Sequence, residues 1–474
     1  MTKVLVYGID GAPPELIFEK WLDELPSIKG LMNKGVYAKI NSTIPPATII
    51  AWSAFASGKD ASQIGVFSYT FRDRKTGMSD LVNSSYVKTD MIWDILSGHS
   101  RRCVVLNVPL TYPVKPVNGI MVSGFMAPDV SLKSVYPESV IKKIKSLGNP
   151  ELFFDVAGFT GHKGLDIDEL LRRTYLMTDM QVALLKDLIV NEEWDFLMQV
   201  FIGTDRLQHM LWRHFDNTHR RFIKDSKYKD ALKDYYKYLD KKLGEVLKLL
   251  KQLDNDIVVI VSSDHGMVKQ EGKININDWL MNKGYLVLTD EFRKEIEDNN
   301  KQGKRTKIKY EGIDLDKSAA YGAGAYNARI FINKGKVGQA GTKEYEDVRK
   351  KIIKGLKQIT DDKGKKLKTE VFKAEDIYAD TSSPECPDLT VYFDELRWAS
   401  NPDFGVQELY SWQTAVGADS AGHSKQGSFV MAGLGVKAKG KIKDIDIYQV
   451  APTILKLMNI PVPKDIKHKP IEMN

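Results

Sequence analysis

The chain has 474 residues, of which 43% are apolar and 28% charged, with a formal net charge of +7. That is enough apolar material for two or three domains, or for one elaborated α/β domain, and it excludes a disordered chain. The lysines are dispersed rather than gathered in one block, which favours small anionic substrates and argues against a nucleic-acid groove.

Residues 4–9 form the first predicted strand, and Asp10 follows it directly. Residues 15–33 carry a helical pattern. In Ile44-Pro45-Pro46-Ala47-Thr48 the prolines end an extended segment, so the spacing predicts a helix from Thr48 or just after. Strands are predicted at 103–107, 120–124, 196–202 and 257–262, with helices at 167–190 and 228–253 between them. Several of these strands are apolar throughout, as in a parallel sheet covered on both faces. The stretch 269–413 differs: a charged segment at 297–309 reads as an exposed loop, followed by a strand at 326–332, a helix at 345–358 and a strand at 389–393. A strand at 429–432 and a helix at 447–458 complete the pattern. The expectation is a βαβ-rich core made of 1–268 and 414–474, with 269–413 as an inserted cap.

Two cysteines, Cys103 and Cys386, cannot form a disulfide framework. The apolar run after Lys3 is too short for a signal peptide, and no stretch reaches the length of a membrane span. A cytoplasmic protein of open oligomeric state is expected.

Metal-capable side chains gather where strands end. Ligands collect at the carboxyl ends of strands in open α/β sheets. Asp10 sits there, although alone it is equally a turn carboxylate capping the next helix. Asp264 and His265 follow an apolar strand and precede Gly266, where a turn lets both reach one ion. Asp205 and His209 share a helix face if a helix starts at Thr204; otherwise they are a helix carboxylate and a surface histidine. His423 draws its weight from the set, since a lone histidine is more often structural. Thr48 is either an N-cap or a nucleophile at a helix N-terminus that favours phosphate, its oxygen activated by a metal ion. Three carboxylates, three histidines and one hydroxyl are the inventory for two divalent ions. Mixed imidazole and carboxylate donors suit Zn²⁺ and admit Mn²⁺.

This order of motifs (Asp10 after the first strand, Pro-Pro-x-Thr48-x-x-Ala-Trp-x-x-Phe, Asp205-x-x-x-His209, Asp264-His265-Gly266 and a late Gly422-His423) resembles the alkaline phosphatase superfamily. Within it the type I phosphodiesterase/nucleotide pyrophosphatase family is the most similar branch. The resemblance implies a three-layer α/β/α sandwich with a mostly parallel sheet and an inserted cap. It also implies one ion held by Asp205, His209 and His423, and another held by Asp10, Asp264 and His265 together with the Thr48 oxygen. It implies hydrolysis of a phosphodiester or nucleotide pyrophosphate through a phospho-threonine. The segment 321–333 resembles part of the family's prokaryotic cap. Two positions depart from the pattern. Ala51 stands where nucleotide-processing members can carry an asparagine, leaving Lys59 as a conjectured helper, and Ile64-Gly65 stands where His-Gly is common. Asp419-Ser420-Ala421 matches a serine-nucleophile motif but lies too late in the chain to serve as one. The alternatives are a phosphomonoesterase or a phosphonate- or phosphoglycerate-processing relative, a metal-stabilised binding protein without turnover, and a dinucleotide-binding protein. The last lacks a glycine-rich loop at Gly8-Ile9-Asp10-Gly11.

Overall fold

The computed structural model describes residues 2–472 except 73–78, 157–165, 254–255, 305, 308, 405–407, 413–418 and 438. It comprises two compact units. One is Met1–Tyr69, Val82–Met267 and His423–Asn474; the other is Thr70–Leu81 and Val268–Gly422.

The first unit is built on a sheet of ten strands. In chain order these are β1 (Lys3–Ile9), β2 (Val36–Asn41), β3 (Cys103–Asn107), β4 (Gly119–Gly124), β5 (Val135–Tyr136), β6 (Phe196–Phe201), β7 (Ile257–Ser262), β8 (Gln426–Ala432), β9 (Gly440–Lys441) and β10 (Ile445–Asp446). Their spatial order is β9-β2-β8-β7-β1-β6-β3-β4-β5, with β10 also on β2. The central strands β7, β1, β6, β3 and β4 run parallel, whereas β8 lies antiparallel between β7 and β2. Side chains alternate faces along a strand, yet β1 buries Val4, Leu5, Val6, Tyr7 and Ile9 alike, so both faces are covered. Gly8 interrupts this run because a Cβ there would lie 2.7 Å from the Trp52 ring.

The helices that place the site are α1 (Pro26–Lys34), α2 (Thr48–Ser57), α3 (Ile167–Asn191), α4 (Gly203–Phe215) and α5 (Ala231–Leu253). α1 packs on β8 and α5, while α3, α4 and α5 pack on one another. α2 is buried along its whole length. Ile49, Ile50, Trp52 and Phe55 each contribute about 1.5–3 kcal/mol by that burial.

The expected helix over 15–33 is broken into a wide turn (Glu15–Lys20), a tight turn (Leu22–Glu24) and α1. Pro26 disfavours helical geometry at Leu25, which takes φ −118° and ψ 67°, and the proline instead starts a new helix. The expected loop over 297–309 is met by the described residues at 302–309, which lie outside any helix or strand, but is corrected at 297–301, since a helix runs over Asp290–Lys301. Thr289 caps its N-terminus, accepting from the Phe292 N–H, and Phe292 and Ile296 bury one face. Positions 305 and 308 lie outside the described residues.

The second unit holds a four-stranded antiparallel sheet in the order Ala320–Ala323, Ala328–Ile332, Leu389–Tyr392, Glu370–Lys373. A three-stranded sheet is built around Gly272–Asn275. Its core gathers Ile274, Leu280, Ile330, Ile352, Leu389 and Phe404. The segment 321–333 forms the hairpin of that larger sheet. Among the described residues no helix is long and apolar enough to cross a membrane.

Candidate metal centre

Strand order brings the candidate ligands to one end of the sheet. β1 is flanked by β7 and β6 in parallel register, with Gly8 opposite Ser262 and Ile9 opposite Phe201. The loops carrying Asp10, Asp205 and Asp264–His265 therefore leave from the same edge. β8 runs the other way, so its start lies at that edge, with Gln426 opposite Asn41 of β2. His423 precedes β8, and β2 leads through Pro45 and Pro46 into Thr48.

Two groups result. Asp205, His209 and His423 offer ligand atoms that lie within 4.8 Å of one another, and so do Asp10, Asp264 and His265. In the first group both His209 Nε2 and His423 Nε2 stand 3.4 Å from Asp205 Oδ1. α4 starts at Gly203, so Asp205 and His209 share a face one turn apart. In the second, His265 Nε2 is 3.2 Å from Asp264 Oδ2 and 3.7 Å from Asp10 Oδ1. The rings of His265 and His423 stack with centroids 3.8 Å apart, which joins the groups. Thr48 Oγ1 lies 3.1 Å from His265 Nε2. Thr48 is the first residue of α2, and Ala47 holds the cap position, so the N-cap explanation for the threonine does not apply. His423 lies within a short strand (Ala421–Ser424).

The donor chemistry fits a pair of cations. Asp10 Oδ1, Asp205 Oδ1 and Asp264 Oδ2 are buried with no hydrogen-bond partner among the described residues, and each faces an imidazole Nε2. A buried, unpaired carboxylate oxygen is costly unless something positive meets it. The second oxygen of each group is held: Asp10 Oδ2 accepts from Trp52 Nε1 at 2.8 Å, Asp264 Oδ1 from the Gly11 N–H at 3.2 Å, and Asp205 Oδ2 from Arg206 at 2.9 Å. His423 Nδ1 meets the Pro46 carbonyl at 2.7 Å and His265 Nδ1 the Gly266 carbonyl at 2.9 Å. A carbonyl can only accept, so in each neutral ring Nδ1 carries the proton and Nε2 presents a lone pair.

Titration follows the same crowding. Burial, with Asp264 and Asp205 nearby, pushes the Asp10 carboxyl well above the usual range. Burial does the same to Asp264, with the Gly11 N–H opposing it. Burial also acts on Asp205, but the imidazoles of His209 and His423 outweigh it and hold this carboxyl well below the usual range. Burial and neighbouring His423 push His265 down.

Several supporting residues carried no role in the sequence reading. Trp52 anchors Asp10, Thr204 donates to the Asp10 carbonyl, and Ser263 Oγ accepts from the Ala12 N–H at 2.8 Å. Burial pushes the Tyr69 phenol up, with the Thr48 side chain opposing it. Lys59 does not serve as conjectured: its ammonium is engaged by Asp465 and Thr89. Ser420 belongs to the second unit.

A largely parallel α/β sheet that ends in paired carboxylate–imidazole groups beside a hydroxyl defines a class, the metal-dependent phosphoester hydrolases. The profile of the family described as type I phosphodiesterase / nucleotide pyrophosphatase matches residues 4–418, and the chain belongs to that family. It is accordingly a phosphodiesterase-type hydrolase of small phosphate esters. Human ectonucleotide pyrophosphatase/phosphodiesterase 5 superposes with a TM-score of 0.56 and 14% identity, covering 97% of this chain and 96% of its own. Its murine counterpart, an inactive threonine-to-alanine form in complex with AMP, gives 0.56 and 14% over 98% and 96%. These likenesses show the fold. Comparison with proteins of curated function yields no match.

Proposed function

We propose that this enzyme cleaves phosphodiesters or nucleotide pyrophosphates in two displacements at phosphorus, with Thr48 as the covalent nucleophile. The observation that carries the reading is the Thr48 hydroxyl, 3.1 Å from His265 Nε2, beside two buried groups whose inward carboxylate oxygens lack partners. Asp205, His209 and His423 would hold one divalent ion, and Asp10, Asp264 and His265 with the Thr48 oxygen the other, zinc being the best match to the donors. Such ions supply Lewis acidity that lowers the pKa of a hydroxyl and neutralises phosphoryl charge.

The protein's own groups do the rest. Thr48 Oγ1 gives up its proton to solvent and attacks phosphorus, the Thr48 O–P bond forms, and the ester O–P bond opposite it breaks. The departing oxygen takes a proton from water. A water molecule then attacks the phospho-threonine, the Thr48 O–P bond breaks, and the hydroxyl is restored. Position 51 is alanine, so donors to the phosphoryl oxygens come from the N–H groups opening α2. Arg206, which lies against the site, is engaged by Asp155 and Asp205 and is not offered to the extra charge of a monoester. That favours diesters. The inactive murine threonine-to-alanine form with AMP supports both a threonine nucleophile and a nucleotide ester.

The test is Thr48→Ala assayed on bis-p-nitrophenyl phosphate and p-nitrophenyl phosphate, with metal content measured alongside. The variant should retain its metal and lose turnover, and the wild type should prefer the diester and stop with chelator. Ordinary turnover in Thr48→Ala would overturn the nucleophile assignment.

A further inference from the structure

Next to Asp205 on α4 stands a residue with no part in the steps above. Arg206 and Asp155 are both buried, and their side chains meet in a two-pronged ion pair. Nε of Arg206 donates to Asp155 Oδ1 at 2.9 Å, and its outer nitrogen donates to Asp155 Oδ2 at 3.0 Å. The remaining nitrogen donates to Asp205 Oδ2 at 2.9 Å. The guanidinium also lies 4.9 Å from the centre of the Phe125 ring. Asp155 is fixed in turn by the Val156 N–H, which donates to Oδ1 at 2.8 Å.

Consecutive helix side chains diverge by about 100°, so adjacent residues do not face each other. Arg206 reaches back to its own neighbour because Asp155 and Phe125 hold the guanidinium plane there. Burying such a charge is costly unless its partners are well placed. The effect on Asp205 is specific: one oxygen is pinned, and the other is left 3.4 Å from His209 Nε2 and His423 Nε2.

We infer that the Arg206–Asp155 pair is a positioning device that sets the cation affinity of the Asp205–His209–His423 group, by fixing Asp205 as a one-oxygen ligand. The inference rests on the two-ion reading. Asp155 cancels the arginine charge that would otherwise draw Asp205 away from an incoming cation. Without Arg206 its hold on Asp205 Oδ2 is lost, and the carboxylate no longer keeps one orientation beside His209 Nε2 and His423 Nε2.

Zinc affinity and stoichiometry are measured on the full-length protein by competition with a chromophoric chelator. The proteins compared are the wild type, Arg206→Met, Arg206→Lys, Asp155→Asn, the Arg206→Met/Asp155→Asn double variant and His209→Ala. Arg206→Met and Asp155→Asn should weaken one of the two ions by about 10–100-fold and leave the other unchanged. Arg206→Lys should recover only part, because an ammonium cannot reproduce the planar fork. The double variant should be no worse than Arg206→Met. If Arg206→Met fails to fold, Asp155→Asn and Arg206→Lys carry the same readout. Wild-type affinity for both ions in the single variants overturns the inference, and His209→Ala then separates the cases. Loss of one ion there leaves the two-ion reading standing, whereas unchanged binding in His209→Ala removes both.

Discussion

Replacing Trp52 with phenylalanine tests how the fold reaches into the site. Trp52 is fully buried, its ring covers Gly8, and its indole N–H donates to Asp10 Oδ2 at 2.8 Å. Phenylalanine keeps most of the apolar contact and removes the donor. A hydrogen bond to an uncharged acceptor contributes about 0.5–1.5 kcal/mol, and the lost ring volume adds roughly 1 kcal/mol for the void left behind. The variant should therefore unfold about 1.5–2.5 kcal/mol more easily in urea. A second effect concerns the metal. Burial already pushes Asp10 up, and the Trp52 bond opposes that push, so without it the carboxyl keeps its proton more firmly. A cation must displace that proton, and zinc affinity at the Asp10 group should fall about 10–100-fold. Urea unfolding with chelator, and zinc titration of the folded protein, read the two effects separately. Unchanged zinc affinity with a stability loss under about 1 kcal/mol would refute the reasoning.

Gly203→Ala would place a Cβ 2.1 Å from Tyr235 Oη and 2.7 Å from Thr174 Cγ2. α4 must then shift, at about 1–3 kcal/mol of stability, and Asp205 and His209 shift with it, so zinc content should drop in parallel with the melting temperature. In chelator, stability should decline as pH rises. Asp10 and Asp264 hold their protons more tightly folded than unfolded, so their contribution is complete below the ordinary carboxylate range near 4 and is lost as pH climbs through the raised folded values. His265, depressed by burial, acts oppositely below the ordinary histidine value near 6.5, so the decline should be gentle there and steeper above it. Saturating zinc should flatten the curve, and a chelated melting profile that rises between about pH 7 and 9 would contradict the carboxyl assignments.

The apolar runs behind β1, β3, β6 and β7 mark those strands to within a residue or so, because strands buried on both faces must be apolar throughout. The helix expected over 15–33 fails at Pro26, where local backbone sterics outweigh apolar periodicity. The loop expected over 297–309 fails only at 297–301, where Phe292 and Ile296, one turn apart on a capped helix, outweigh the charge around them. His423 draws its weight from the set, whereas the three acids, His209 and His265 are legible because few residue types bind cations and these ones come just after strands. Their supports are not. Trp52 meets Asp10 across 42 positions and Arg206 meets Asp155 across 51, and no local spacing records such pairings.

The reversed direction of β8 has a bearing on synthesis. A strand parallel to its neighbours would deliver its end, not its beginning, to the edge where the acids cluster, and His423 would be carried to the far side. Because β8 enters from that edge, the segment just before it reaches the acids, and His423 is the last member of the two groups to be synthesised. Until then the nascent chain carries Asp10, Asp205 and Asp264 without it. Asp205 and His209 therefore wait for their third partner while positions 210–422 are made, whereas Asp10, Asp264 and His265 are all present once position 265 has been added.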